Sequence, residues 1–304
     1  MLSDALTRYV VLQRRLGLRF DEQERLLQSF VAYADAADDS RIVSARLSDW
    51  ASQASSPWNA RRRYDTGRRF ALFLAAEDPV HEIPPSAAFG RGRKPRPSPH
   101  LLTPEAIRAI MDAALALTPR GSISPHTYRT LFGLLAATGL RISEALALQR
   151  QDVIDDGLVV RSGKFGKSRL VPLHPTTRRA LETYLALRRR IAVESDDLFV
   201  VRTGRAPSKA VCYRVFVRLA RQLGFRGAAG TPGPRLHDLR HGFAARSLEA
   251  CAHDRETAAH HMAALSTYLG HADIANTYWY LEATPALLTE VAAATEARFQ
   301  GGAA

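Results

Sequence analysis

The stretch TGLRISEALALQRQDVIDDGLVVRSGKFGKSRLVPL, residues 138–173, places two kinds of periodicity back to back. Gly139 ends the apolar helical pattern of residues 125–138, and Arg141-Ile142-Ser143-Glu144-Ala145-Leu146 begins another helical turn. Helical spacing then stops. Val153-Ile154, the turn Asp155-Asp156-Gly157, Leu158-Val159-Val160 and Arg169-Leu170-Val171-Pro172-Leu173 read as short strands, with residues 163–168 as an exposed hairpin tip. Upstream, Thr103-Pro104-Glu105 is an N-cap followed by proline at the first helical position, opening a helix to about Leu117. Downstream, helical patterns resume to the end. The fold class is therefore mainly α with a small antiparallel β-sheet.

Working outward, residues 2–76 repeat apolar positions at helical spacing, as in Leu6, Tyr9, Val10, Gln13 and Leu16, then Leu26, Leu27, Phe30, Val31 and Ala34. This predicts a separate helical domain, as a chain of 304 residues leads one to expect. Within it, residues 58–73 carry Arg61, Arg62, Arg63, Arg68 and Arg69 among Trp58, Tyr64 and Phe70. One side of such a helix can pack while the other meets phosphate, or the arginines can simply form a solvated face. From His81 to His100 the composition turns to proline, glycine and base, with Arg91, Arg93, Lys94 and Arg96 among the prolines. It reads as a linker, unable to bury apolar surface and suited to lie along a nucleic-acid backbone. The expected division is 1–90, helical DNA-binding domain; 91–100, basic linker; 101–304, second domain.

Forty-two Lys and Arg against 30 Asp and Glu give a formal net charge of +12, which favours a polyanionic partner without naming it. Cys212 and Cys251 are the two cysteines, too few and too far apart for a disulfide framework or a thiolate zinc site, and they suit a reducing cytoplasm. Neither a signal peptide nor an apolar run of membrane-spanning length is expected, so the chain reads as soluble and intracellular.

Three segments concentrate groups that handle a phosphodiester. Arg141 stands at a helix start, where a guanidinium can take phosphate in two-pronged fashion; it can equally pair with Glu144, three residues on. In Arg235-Leu236-His237-Asp238-Leu239-Arg240-His241, the spacing puts His237 and Arg240 on one helix face and Asp238 with His241 on another. A metal half-site is the competing reading, short of the ligands zinc requires. His260 and His261, adjacent on a helix, face different directions and read as surface or packing residues. The third segment runs from Tyr268 to Leu281: Gly270 ends a helix, Asp273 caps the next, and Tyr278 and Tyr280, two apart, cannot both face a cluster that includes His271.

The ordered set Arg141, Lys164, His237-x-x-Arg240, His271 and Tyr280, within the motifs TGLRISE, GKFGKSRLVPL, HDLRH and LGHAD, resembles the active site of the tyrosine recombinase (phage integrase) family. The resemblance covers both domains in outline. It implies a helical SAM-like core-binding N-terminal domain and a catalytic domain of the DNA breaking-rejoining fold. By position it makes Tyr280 the nucleophile, Arg141 and Arg240 the clamp on the non-bridging oxygens, His237 and His271 hydrogen-bond donors and proton handlers, and Lys164 the acid for the 5′ oxygen. Lys167, on the same tip, competes for that last role and otherwise adds to DNA binding. Family members often have Gly-Lys-Gly where this chain has Gly163-Lys164-Phe165.

The resemblance implies no cofactor and no metal, double-stranded DNA as partner, and a homotetramer, or a hetero-assembly with related recombinases, on paired DNA sites. It implies work at the nucleoid in the cytoplasm, away from membrane. The wording of residues 277–280, Thr-Tyr-Trp-Tyr, resembles recombinases of transposons and other mobile elements. Residues 286–299 are compatible with an amphipathic helix that docks on a neighbouring protomer. Type IB topoisomerases resemble the same catalytic set, and a DNA-binding accessory protein with a vestigial cluster is the reading outside enzymes.

Overall fold

A computed structural model describes residues 1–90, 98–161, 168–191, 195–250 and 255–270. The chain divides into two compact units, Met1–Pro97 and Ser98–Ala304.

In the first unit, α1 (Leu2–Arg15), α2 (Asp21–Asp35), α3 (Ser44–Ser52) and α4 (Pro57–Glu77) surround one apolar core. The predicted stripes bury Leu6, Tyr9 and Val10 from α1 and Leu27, Phe30, Val31 and Ala34 from α2. Leu16 departs from its stripe and is 68% exposed, because α1 ends at Arg15 and the chain turns away there. α4 starts with Ser56 accepting from the Asn59 N–H, and Pro57 follows at a position that needs no donor. It buries Tyr64, Phe70 and Leu74 against Tyr9, Phe30 and Trp50.

The expectation that residues 81–100 form a linker without buried apolar surface is corrected over 81–90. Pro84 is buried, and the Phe89 ring packs 4.9 Å from the Tyr64 ring. Tyr64 Oη donates to the Pro85 carbonyl at 2.8 Å, Arg68 Nε to the Pro84 carbonyl at 2.8 Å, and Arg61 to the Phe89 carbonyl. His81 Nδ1 accepts from the Ile42 N–H. Each such bond contributes about 1 kcal/mol, more where a guanidinium donates, enough together to fasten an irregular segment.

The second unit packs α5 (Pro104–Leu115), α6 (Ile123–Thr138), α7 (Ile142–Leu146), α8 (Pro175–Arg189), α9 (Lys209–Gln222), α10 (Asp238–Glu249) and α11 (Arg255–Leu269) with a three-stranded sheet. α6 is apolar nearly all round, so it lies at the centre, with Leu131, Phe132, Leu134 and Leu135 buried. The sheet is antiparallel in the order β1 (Val153–Ile154), β2 (Gly157–Val160), β3 (Arg169–Val171). Its register pairs Leu158 with Val171 and Val160 with Arg169. Alternation along β3 buries Val171 and turns Leu170 outward, leaving Arg169 on the inward side. The fold is thus mainly α with a small antiparallel sheet, as the sequence predicts.

Two turns carry the site. α6 stops at Gly139, whose φ of +61° is left-handed, and a side chain there would meet the Phe243 ring at 2.5 Å. α11 ends before Gly270, again left-handed at +65°. Among the described residues no helix is long and apolar enough to cross a membrane.

Candidate active site

Arg141 is the N-cap of α7, and its backbone N–H donates to Glu144 Oε2 at 3.0 Å, as in a capping box. The anion at this helix start is therefore the protein's own carboxylate. α7 has only five residues, so its dipole adds little at this position. The pairing with Glu144 is present, Arg141 Nη1 donating to Glu144 Oε1 at 2.7 Å, and the same guanidinium reaches the carbonyls of Leu269 (3.3 Å) and Gly270 (3.0 Å).

Arg240, on the first turn of α10, is 2% exposed. Its Nη1 donates to the Gly139 carbonyl at 2.7 Å and its Nη2 to the Leu269 carbonyl at 2.8 Å. Arg169 adds a third guanidinium, donating from Nε to the Tyr268 carbonyl at 2.8 Å and from Nη1 and Nη2 to Glu144 at 3.2 and 2.8 Å. Three arginines from α7, β3 and α10 thus gather on the C-terminal carbonyls of α11, the residues just before His271. Cations at a helix C-terminus are stabilised by its partial negative charge. The left-handed φ of +65° favours glycine at 270, and a Cβ there would also stand 3.0 Å from Arg169 Nη1.

Asp238, the first residue of α10, is fully buried and accepts the Arg235 backbone N–H at 2.8 Å and its guanidinium at 2.9 and 3.2 Å. That loop sets the N-cap, His237. The expected partition of faces is corrected: His241 stands edge-on to His237, ring centroids 4.6 Å apart, while Asp238 turns to Arg235. One helical turn brings positions four apart together, which outweighs the assignment by pairs. Crowding around its ring, then the positive charge of Arg240, push the His237 imidazole down to about 4, although part of its surface meets solvent. Burial, then His237, push His241 down to about 4. Lowered values favour the neutral rings, each of which presents one N–H donor and one acceptor nitrogen.

Among the DNA-binding candidates, Arg61 pairs with Asp65 at 2.8 Å, Arg62 with Glu22, and Arg68 with the Pro84 carbonyl. Arg69 is exposed. Lys164, Lys167, His271, Tyr280, Arg91, Arg93, Lys94 and Arg96, the C-terminal segment 286–299 and the cap at Asp273 lie outside the described residues. His260 is exposed, and His261 Nε2 lies 3.2 Å from Ser247 Oγ. Among the described residues no group of three or more potential metal ligands occurs. Burial pushes the Cys212 thiol up to about 12.

Arg169 and the doubled partnership of Glu144 are absent from the sequence-based site. A signal existed: β3 alternation puts Arg169 on the inward face with Val171, and an inward charge requires a partner.

The family model described as the phage integrase family matches residues 100–286. The chain belongs to the phage integrase family. This family member is 38% identical to a protein of Sinorhizobium fredii described as an integrase/recombinase, over 97% of each chain. It is 30% identical to the tyrosine recombinase XerD of Brucella suis, over 78% of this chain and 76% of that one. Its fold is that of the XerH site-specific recombinase solved on its palindromic difH substrate, with a TM-score of 0.65 at 21% identity over 89% of this chain and 78% of that one. The phage integrase family member described here is therefore a tyrosine-type site-specific DNA recombinase.

Proposed function

We propose that this recombinase cleaves and rejoins DNA through a covalent 3′-phosphotyrosine on Tyr280, and that it serves the integration, excision or transposition of a mobile element. The observation that carries the reading is the meeting of Arg141 and Arg240 on one carbonyl, that of Leu269, two residues before His271. Guanidinium groups held this close match the non-bridging oxygens of one phosphate. His237, neutral and beside Arg240, belongs to the same cluster.

In this account Arg141 and Arg240 hold the scissile phosphate while Tyr280 Oη attacks phosphorus. A bond from Oη to phosphorus forms and the bond to the 5′ oxygen breaks. The phenol proton passes to an imidazole, His237 or His271, and Lys164 protonates the leaving 5′ oxygen, with Lys167 as its alternative. Attack by the 5′ hydroxyl of a second strand reverses the step on a new partner. Guanidinium and imidazole groups supply the charge neutralisation that phosphoryl transfer requires, so the step needs neither metal nor nucleotide.

The partner is double-stranded DNA, supported by the net charge of +12 and by the DNA-bound state of the XerH neighbour. Residues 1–90 form the core-binding domain, residues 91–100 a basic strap that includes Arg91, Arg93, Lys94 and Arg96, and residues 101–304 the catalytic domain. Arg61, Arg62, Arg68, Arg69 and Lys167 add phosphate contacts, Arg69 through its exposed side chain. Strand exchange takes place in a homotetramer, or a hetero-assembly with related recombinases, on two paired sites. The mobile-element role is supported by the Thr277-Tyr278-Trp279-Tyr280 wording.

The reading is tested by incubating the protein, in chelator, with two linear duplexes drawn from the DNA adjoining its gene, one of them labelled. Recombinant strands that join the two duplexes are expected from the wild type and lost in Arg240→Lys. Relaxation or nicking without joined strands would contradict the exchange.

A further inference from the structure

Glu144 is the innermost of three linked charges. Its side chain is 6% exposed, that of Arg169 15% and that of Arg141 24%. Each carboxylate oxygen takes two donors: Oε1 accepts Nη1 of Arg141 and Nη1 of Arg169, Oε2 the Arg141 backbone N–H and Nη2 of Arg169. Burial pushes this carboxyl up, but the bonds from Arg169 and from Arg141 outweigh it and hold the group down to about 2. Glu144 is therefore a full negative charge against Arg141 at neutral pH.

That contact fixes Arg141 and at the same time cancels it. An isolated guanidinium-carboxylate pair is neutral, and its field on a third charge falls off much faster than that of a single cation. Arg169 changes the balance. Two guanidiniums around one carboxylate leave one net positive charge, and the more exposed member of the three is Arg141. Arg169 is tied in place from the other side by the Tyr268 carbonyl.

We propose that Arg169 is a positioning residue for cleavage: it offsets the charge of Glu144, so that Glu144 can orient Arg141 without neutralising it toward the scissile phosphate. The proposal rests on the reading of Arg141 as a phosphate ligand. It predicts an interaction that contact counting does not, since deleting a second partner of the cluster repairs the loss of the first.

The test is the rate of covalent protein-DNA adduct formation on a nicked suicide duplex at saturating protein, with melting curves for every variant. Arg169→Gln is expected to slow the adduct by about tenfold or more, the scale of one lost charge in such a site. Adding Glu144→Gln to Arg169→Gln should recover about threefold or more, and Arg169→Lys should stay within about threefold of wild type. If Arg169 served only to pack β3 on α11, the double variant would be slower than either single one, which overturns the proposal, as does a wild-type rate in Arg169→Gln. Should Arg169→Gln not fold, a tenfold loss in folded Arg169→Lys, which keeps the charge, contradicts the proposal. A wild type without adduct, or Arg141→Met at wild-type rate, would remove the reading of Arg141 itself and the proposal with it.

Discussion

Arg141 and Arg240, 99 positions apart in sequence, donate to the same acceptor, the carbonyl oxygen of Leu269, at 3.3 and 2.8 Å. Two guanidiniums that share one oxygen can share another. The arrangement makes the end of α11 the reference point on which Arg141, Arg169 and Arg240 are placed.

Arg240 is also a structural group, since its guanidinium satisfies the carbonyls of Gly139 and Leu269 in a buried setting. Arg240→Met removes the guanidinium from the Gly139 carbonyl and leaves that of Leu269 with the longer bond from Arg141, and should cost roughly 2–4 kcal/mol of stability. Arg240→Lys should cost less, because the charge remains, yet abolish adduct formation, because one ammonium cannot reproduce the planar fork. Denaturant unfolding and gel analysis of the adduct check the two halves separately.

Gly270→Ala forces a side chain into a left-handed residue and toward Arg169 and Arg141. A destabilisation of about 1–2 kcal/mol is expected from the backbone alone. The larger effect should fall on cleavage, because the displaced carbonyl no longer holds Arg141. A thermal melt shifted by a few degrees together with a slowed adduct supports this; an unaltered cleavage rate argues against it.

The Glu144 carboxyl, held down to about 2 in the fold against an ordinary 4.5, ties stability to pH with a definite sign. The unfolded chain takes up the proton first as pH falls. Its contribution, on the order of 3 kcal/mol, is complete above about pH 5 and is lost progressively as pH falls toward 2. Unfolding free energies measured between pH 7 and pH 3 should fall more steeply in the wild type than in Glu144→Gln.

In the N-terminal unit, Arg68 and Arg69 are adjacent in sequence and differ in employment. Arg68 anchors the Pro84 carbonyl, whereas Arg69 is exposed. Arg68→Ala should therefore lower the melting temperature, while Arg69→Ala leaves it in place and weakens DNA binding with a shallower salt dependence. Equal effects of the two on binding and none on melting would contradict this division.

The helical stripes, the cap at Thr103, the helix end at Gly139 and the short strands were legible because each depends on local spacing or on one residue's backbone freedom. What was not legible depends on groups far apart in sequence. The guanidiniums of Arg61 and Arg68 also hold carbonyls of a proline-containing segment, 28 and 16 residues on, which composition alone presents as a linker. His241 was assigned to the face of Asp238, yet the helix turn brings it to His237. The Arg141 motif was visible, but its charge balance with Glu144 is completed by Arg169 from a different element.

The central claim is that Tyr280 takes up DNA covalently at a phosphate held by Arg141 and Arg240. The most direct measurement is metal-free incubation of wild type, Tyr280→Phe and Tyr278→Phe with nicked suicide duplexes, followed by denaturing gels and mass spectrometry of the DNA-linked peptide. A denaturant-resistant adduct in wild type and Tyr278→Phe, absent in Tyr280→Phe and mapped to Tyr280, is the predicted result. An adduct that persists in Tyr280→Phe, or maps to Tyr278, would contradict it.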